Sequence, residues 1–164
     1  MDTKKKIVSL PVLKKNISQL RRAGKKIAFT NGCFDIVHAG HVSYLEQAKK
    51  DNRVLVIGLN SDASMKRIKG PLRPIVGEKE RAALLAALAC VDYVTIFSED
   101  TPLNLITALK PDILIKGADW KGKSIVGQDV VESHGGKVEL IKYLSGFSTT
   151  HIIQSILEKC KKSP

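Results

Sequence analysis

Residues 30 to 41 read Thr30-Asn31-Gly32-Cys33-Phe34-Asp35-Ile36-Val37-His38-Ala39-Gly40-His41, and the two histidines, three positions apart, are the part of this chain best suited to chemistry. They follow the apolar run Ile27-Ala28-Phe29 and precede a helical pattern, which places them where a strand hands over to a helix N-terminus. Free backbone N–H groups and the positive end of the helix dipole favour an anion there, a phosphate above all. On a first helical turn the two imidazoles share one face, and both can donate hydrogen bonds to one anion. The spacing suits charge stabilisation at a phosphorus centre.

Two other chemistries fit parts of the segment. The histidines could ligate a metal, with Asp35 as the further ligand type beside them. Cys33 could be a nucleophile activated by His38, or a small buried side chain in the turn, the usual state of a free cysteine. Gly32, Phe34 and Asp35 in a strand-turn-helix context favour the phosphate reading over both.

Other segments could also handle phosphates. Lys69 and Arg73 fall in a stretch with Gly70, Pro71, Pro74 and Gly77 that could fold over an anionic substrate, and Arg81 follows in the first turns of the next helix. In Lys116-Gly117-Ala118-Asp119-Trp120, Gly117 lets backbone approach a flat ligand and Asp119 offers an acceptor, while Trp120 either stacks on the ligand or shields it. Gly146-Phe147-Ser148-Thr149-Thr150 places three hydroxyls at a helix start where a plain N-cap needs one, so an additional phosphate site is expected. Asp35 is either a turn residue accepting backbone hydrogen bonds or a group that orients the phosphate acceptor or a histidine.

With Gly58-Leu59-Asn60-Ser61-Asp62 and Asp100-Thr101-Pro102, these segments resemble the nucleotidyltransferase superfamily that carries an HxGH signature, from about Lys26 to His151. The group contains the cytidylyltransferases and small adenylyltransferases. Within it the set most resembles the branch that makes ADP-heptose from heptose 1-phosphate; many members are fused to a sugar kinase, and this sequence corresponds to the transferase part. Glycerol-phosphate cytidylyltransferases carry Arg-Thr-Glu ahead of the last motif, where this chain has Tyr143-Leu144-Ser145, so a phosphate-binding arginine is missing.

The resemblance implies condensation of ATP with D-glycero-β-D-manno-heptose 1-phosphate to ADP-heptose and pyrophosphate, by in-line attack on the α-phosphate. The alternative is a cytidylyltransferase acting on glycerol 3-phosphate or another sugar or polyol phosphate. It implies catalytic roles for His38, His41 and Lys69. Nucleotide contacts would fall to Asn31, Gly32, Phe34, His38, His41, Gly117, Asp119, Phe147, Ser148, Thr149 and Thr150, and sugar phosphate contacts to Asp35, Asn60, Lys69, Arg73 and Arg81. Mg2+ is expected to arrive with the triphosphate, with no metal cage built by the protein. A homodimer is the default expectation.

The composition bounds these readings. At 164 residues and 43% hydrophobic the chain is expected to be one domain with one good core. No apolar stretch reaches about 18 residues, and Met1-Asp2-Thr3-Lys4-Lys5-Lys6 lacks a signal-peptide core, so a cytoplasmic protein with no membrane partner is expected. Cys33, Cys90 and Cys160 form no CxxC pair, which argues against a disulfide framework or structural zinc. Of the net charge of +11, +8 lies in residues 1–26, where nine Lys or Arg face Asp2 alone. A basic helix over 1–25 is therefore set ahead of a nucleotidyltransferase domain over 26–164. With no aromatic residue to stack a base, it reads as a solvated face and not a nucleic-acid contact; a nucleic-acid-associated protein with a nucleotide-sensing fold is the rival from another class.

The elements that must position these residues follow from apolar periodicity. Strands are predicted at Lys26 to Thr30, Val54 to Leu59, Tyr93 to Phe97, Asp112 to Lys116 and Lys137 to Ile141. Helices are predicted after Pro11 up to Gly24, at Gly40 to Lys50, Glu78 to Cys90, Thr101 to Leu109, Gly127 to His134 and Ser148 to Cys160, with another beginning after Asn60-Ser61-Asp62 and a surface loop from Lys66 to Gly77. Asp100 or Ser98 is expected to cap the helix at Thr101, and Gly135-Gly136 to end the helix at Gly127 to His134. Strands alternating with helices imply an α/β, Rossmann-like three-layer fold with a five-stranded parallel sheet, whose ligands bind at the strand C-terminal ends where strand order reverses.

Overall fold

The unbroken apolar run at Val54 to Leu59 is buried on both faces, as expected of an inner parallel strand. It is the second of five strands, Lys26–Gly32 (β1), Arg53–Asn60 (β2), Tyr93–Phe97 (β3), Ile113–Gly117 (β4) and Lys137–Ile141 (β5), all parallel in the order β3-β2-β1-β4-β5. The computed structural model describes residues 2–50, 52–144 and 146–161. Met1, Ser145 of the Tyr143-Leu144-Ser145 segment and residues 162–164 at the end of the expected domain lie outside them.

Seven helices connect and cover the strands among the described residues: Leu10–Arg22 (α1), Ala39–Ala48 (α2), Asp62–Lys69 (α3), Glu78–Ala87 (α4), Leu103–Leu109 (α5), Gln128–Ser133 (α6) and Thr149–Lys161 (α7). Side-chain alternation along β1 explains the three layers. Ala28 packs with Leu45 of α2, Leu85 of α4 and Ile115 of β4 on one face; Ile27 and Phe29 pack with Leu13 and Ile17 of α1, Ile106 of α5 and Val131 of α6 on the other. Each such aliphatic side chain contributes roughly 1.5–3 kcal/mol by leaving water. This is the Rossmann-like α/β fold expected, and no helix among the described residues is long and apolar enough to cross a membrane.

Local signals account for most helix ends. Gly24, at φ +74°, closes α1: its N–H donates to the Arg21 carbonyl and the Lys25 N–H to the Leu20 carbonyl. Gly135, at φ +76°, follows α6 as expected. Three expectations are corrected. Lys66 to Lys69 is not loop, because Ser61 caps α3 through the Ser64 N–H at 3.2 Å and nothing stops the helix before Gly70 at φ +97°; the loop runs from Gly70 to Gly77. Helix α4 ends at Ala87 rather than Cys90, where Leu88 turns extended. Neither Asp100 nor Ser98 caps α5, whose N-cap is Pro102; the Asp100 carboxylate is 2.7 Å from Arg67 Nε.

Because β1 runs outward to β2 and β3 on one side while β4 and β5 lie on the other, strand order reverses between β1 and β4. The C-terminal ends of those two neighbours, Asn31-Gly32 and Lys116-Gly117, open the crevice where open sheets of this kind bind ligands.

Candidate active site

The turn after β1 is built to aim its histidines. A Cβ on Gly32 would lie 2.9 Å from the Phe34 ring, so glycine is what lets that ring fold back. Phe34 itself holds φ +44°, a left-handed conformation rarely adopted by an aromatic residue, and is buried with its ring 5.1 Å from that of His41. Asp35, 2% exposed, takes the loop after α3 in hand: Oδ1 accepts from the Ile75 and Val76 N–H groups at 2.8 and 2.9 Å. Its Oδ2 stands 2.6 Å from Arg73 Nε, an ion pair whose alignment falls short of a hydrogen bond.

His38 is the N-cap of α2, its Nδ1 accepting from the His41 N–H at 3.4 Å. That acceptor role leaves the proton of the neutral ring on Nε2. The two imidazoles stack, centroids 3.8 Å apart and planes 20° from parallel. Burial holds His41 down to about 4, the neighbouring His38 adding to the effect and the Ile36 backbone opposing it; burial also lowers His38. Both rings are therefore neutral hydrogen-bond donors at neutral pH. Gly40 makes room for the pair, since a Cβ there would meet His38 Nδ1 at 3.0 Å and the Phe147 Cβ at 3.1 Å.

Arg81 does not reach the cleft. It is fully buried, with Nε donating to the Val76 carbonyl at 2.9 Å, Nη1 to the Cys33 carbonyl, and Nη2 2.7 Å from Asp62 Oδ1. The side chain expected to meet the sugar phosphate instead ties the turn, the loop and α3 together. Lys69, at the end of α3, is exposed and lines the cleft, as does Arg73 from the loop. Asn60 lines it too, buried at the end of β2 with Nδ2 donating to Ser64 Oγ at 2.9 Å.

At the end of β4, Lys116 is buried and donates to Asn31 Oδ1 at 2.6 Å, with the Trp120 ring centroid 5.5 Å away. Burial pushes its ammonium down to about 8, Asp119 opposing. Gly117 does permit a close approach, but the flat group on it is Tyr143, whose ring stacks on Tyr44 at 5.3 Å. Tyr44 is in turn hydrogen-bonded to Thr30 at 2.8 Å. Asp119 is exposed on the short turn Ala118–Trp120, beside Gly117.

At the start of α7 the hydroxyls divide their work. Ser148 Oγ accepts from the His151 N–H at 3.1 Å and so serves the helix end, while Thr149 and Thr150 line the cleft. Phe147 is half exposed against Gly40.

The result is one cleft of about 700 Å³. It brings together Asn31, Gly32, Phe34, Asp35, His41, Asn60, Lys69, Arg73, Gly117, Thr149 and Thr150; His38, Asp119, Phe147 and Ser148 do not line it, and Arg81 is fully buried away from it. Lys116, Tyr44 and Tyr143 were not singled out as site residues. Lys116 stood in a quoted motif, and a lysine closing an apolar strand was the signal available. Asp35 pairs with Arg73 and Asp100 with Arg67, while Lys69 and Lys116 line the cleft with no carboxylate among the described residues in ion-pair contact. A positive, half-apolar crevice with helix N-termini on two sides can hold a polyphosphate and a flat base.

Comparison with known proteins agrees with this geometry. The chain is 54% identical over 158 residues to a bifunctional protein HldE of Trichlorobacter lovleyi, and 57% identical over 159 residues to that of Campylobacter jejuni. These alignments cover 96% and 97% of this chain but 32% and 33% of those proteins, so it spans about a third of their length. A lipopolysaccharide core biosynthesis protein from Thermoplasma volcanium superposes with a TM-score of 0.59 at 31% identity, covering 73% of this chain and 96% of that one. A pantoate-beta-alanine ligase from Francisella tularensis, at 18% identity and a TM-score of 0.56 over 96% of this chain and 79% of its own, shares the fold. Residues 29–155, from the middle of β1 into α7, match the family described as cytidylyltransferase-like, and the chain belongs to that family.

Proposed function

We propose that the chain is an adenylyltransferase condensing ATP with D-glycero-β-D-manno-heptose 1-phosphate to ADP-heptose and pyrophosphate. The observation that carries the transfer chemistry is the stacked, neutral His38–His41 pair at the start of α2, whose His41 lines a cationic cleft at the β1–β4 reversal. The heptose branch is supported by the motif set around Lys69-Gly70-Pro71 and Gly146 to Thr150, and by Tyr143 where the glycerol branch has arginine. The likeness to a lipopolysaccharide core biosynthesis protein supports that setting. Relatives called bifunctional, matched over a third of their length, fit a transferase part joined there to a second activity.

In this reading a phosphate oxygen of the sugar attacks the α-phosphorus as the bond to the pyrophosphate oxygen breaks, and the electron pair leaves with pyrophosphate. Positioning and electrostatic stabilisation suffice. His38 and His41 donate to the phosphoryl oxygens beside the α2 N-terminus. Thr149 and Thr150 hold the leaving phosphates at the start of α7, while Asn31, Gly32, Phe34, Gly117 and Asp119 surround the nucleoside. Lys69 and Arg73 take the sugar phosphate, with Asp35 acting through Arg73. Mg2+ supplies charge neutralisation on the triphosphate; among the described residues no three His, Cys, Asp or Glu side chains converge on a metal, so substrate oxygens and water would hold it. The protein would work in the cytoplasm as a homodimer.

The test offers ATP, CTP, GTP and UTP, each crossed with heptose 1-phosphate, glycerol 3-phosphate and glucose 1-phosphate, in magnesium, with pyrophosphate release as readout. Fastest turnover with ATP and heptose 1-phosphate is expected. Fastest turnover with CTP and glycerol 3-phosphate would overturn the heptose assignment and leave the histidine chemistry standing.

A further inference from the structure

The basic groups around the cleft fall into two kinds. Arg73, Arg67 and Arg81 each meet a carboxylate, from Asp35, Asp100 and Asp62. Lys116 is different. It is 7% exposed, yet its close partners are an amide oxygen, Asn31 Oδ1 at 2.6 Å, and the Trp120 ring at 5.5 Å. Asn31 takes one of the three donors an ammonium carries. Asp119 attracts the ammonium from a distance but makes no ion pair with it, so among the described residues the desolvated cation touches only neutral groups; that is costly, and the cost is recovered when an anion arrives. The group is still mostly protonated at neutral pH, since burial brings it only to about 8. Lys116 and Asn31 end β4 and β1, the two strands flanking the reversal, and both line the cleft that His41 lines.

We propose that Lys116 Nζ contacts a phosphoryl oxygen of the bound nucleotide, and that the Asn31 amide holds it in place until that phosphate enters. The proposal rests on the transferase reading above and adds a substrate-contacting residue to it. Lys116 keeps its proton throughout: the bond from the sugar phosphate to the α-phosphorus forms, the bond to pyrophosphate breaks, and the ammonium meets charge spreading over the phosphoryl oxygens. The competing role is a structural peg between β1 and β4.

The full chain as wild type, K116M and K116Q would be titrated calorimetrically with magnesium-ATP and with inorganic pyrophosphate, melted without ligand, and assayed for pyrophosphate release from ATP and heptose 1-phosphate. Removing a buried charge that makes no ion pair should leave both variants melting within about 3 °C of wild type or above it. Affinity for ATP or pyrophosphate should fall about tenfold or more, and kcat about 100-fold. Wild-type affinity for both ligands in a folded K116M overturns the proposal, and so does a melting point far below wild type in both variants, which assigns Lys116 to the structural role. A wild-type protein that releases no pyrophosphate with any sugar phosphate sinks the transferase reading, while the two titrations still decide whether Lys116 binds phosphate.

Discussion

The ring of Tyr143 occupies the place where a side chain on Gly117 would begin, its Cε2 2.1 Å from the position of a Cβ there. The glycine at the end of β4 is thus matched to an aromatic residue on the segment leading into α7, and Tyr44 backs the ring from α2. Gly117→Ala should displace Tyr143, because a contact that short leaves no room for both. We expect KM for ATP to rise about tenfold with a modest loss of melting temperature. Combining it with Tyr143→Ala should cost less than the sum of the two single changes, and strict additivity in that cycle would separate the residues.

The imidazole pair is tested by truncation. His38→Ala and His41→Ala should each lower kcat by roughly 100-fold or more, the usual loss for one preorganised donor. A folded His41→Ala protein with wild-type kcat would remove the pair from catalysis.

Acid stability follows from His41. Its folded value, about 4, is below the ordinary 6.5 of the unfolded chain, so between those values the unfolded state binds the extra proton. Stability is then fully present above pH 6.5 and is lost as pH falls toward 4. The unfolding free energy from urea titrations should drop across that window by roughly 2 kcal/mol, partial solvent access trimming the full effect. His41→Asn should flatten the profile over the same range.

Arg81→Ala should destabilise the protein by about 3 kcal/mol or more, since it leaves buried carbonyls unpaired and breaks an ion pair. Urea denaturation measures this. A lowered kcat at an unchanged midpoint would return Arg81 to substrate contact.

The N-terminal lysines should separate. Lys6 Nζ donates to the Leu88 and Val91 carbonyls at 3.1 and 2.7 Å, and the adjoining Ile7 bridges to Val94 of β3. Lys4→Glu with Lys5→Glu should leave kcat/KM within about threefold, as for screened surface charge. Lys6→Glu should lower the melting temperature by several degrees, about what losing one or two hydrogen bonds costs.

What could be read from residues alone was whatever is periodic or local. Tyr93 to Phe97 and Lys137 to Ile141 stand at their predicted bounds, and the turn around His38 and His41 lies between β1 and α2 as its spacing implied. Charge, by contrast, does not say where it points. Lys66 to Lys69 read as loop because four polar or basic neighbours hid an amphipathic turn anchored by Met65, and Arg81 read as a ligand because nothing local shows three acceptors from distant segments converging on it. Lys116 is illegible for the opposite reason: a strand position says that a lysine is covered, and only the packed sheet shows that it meets an amide and an aromatic ring there and no ion-paired carboxylate.

Arg81 draws its partners from positions 5, 19 and 48 residues away, one from each segment that borders the histidine turn. The turn is therefore braced only once α4 has docked on the sheet, late in any order of assembly in which β1 and α2 form first. A chain emerging from the ribosome with its HxGH segment already made would still lack the guanidinium that ties that segment to α3 and the loop after it.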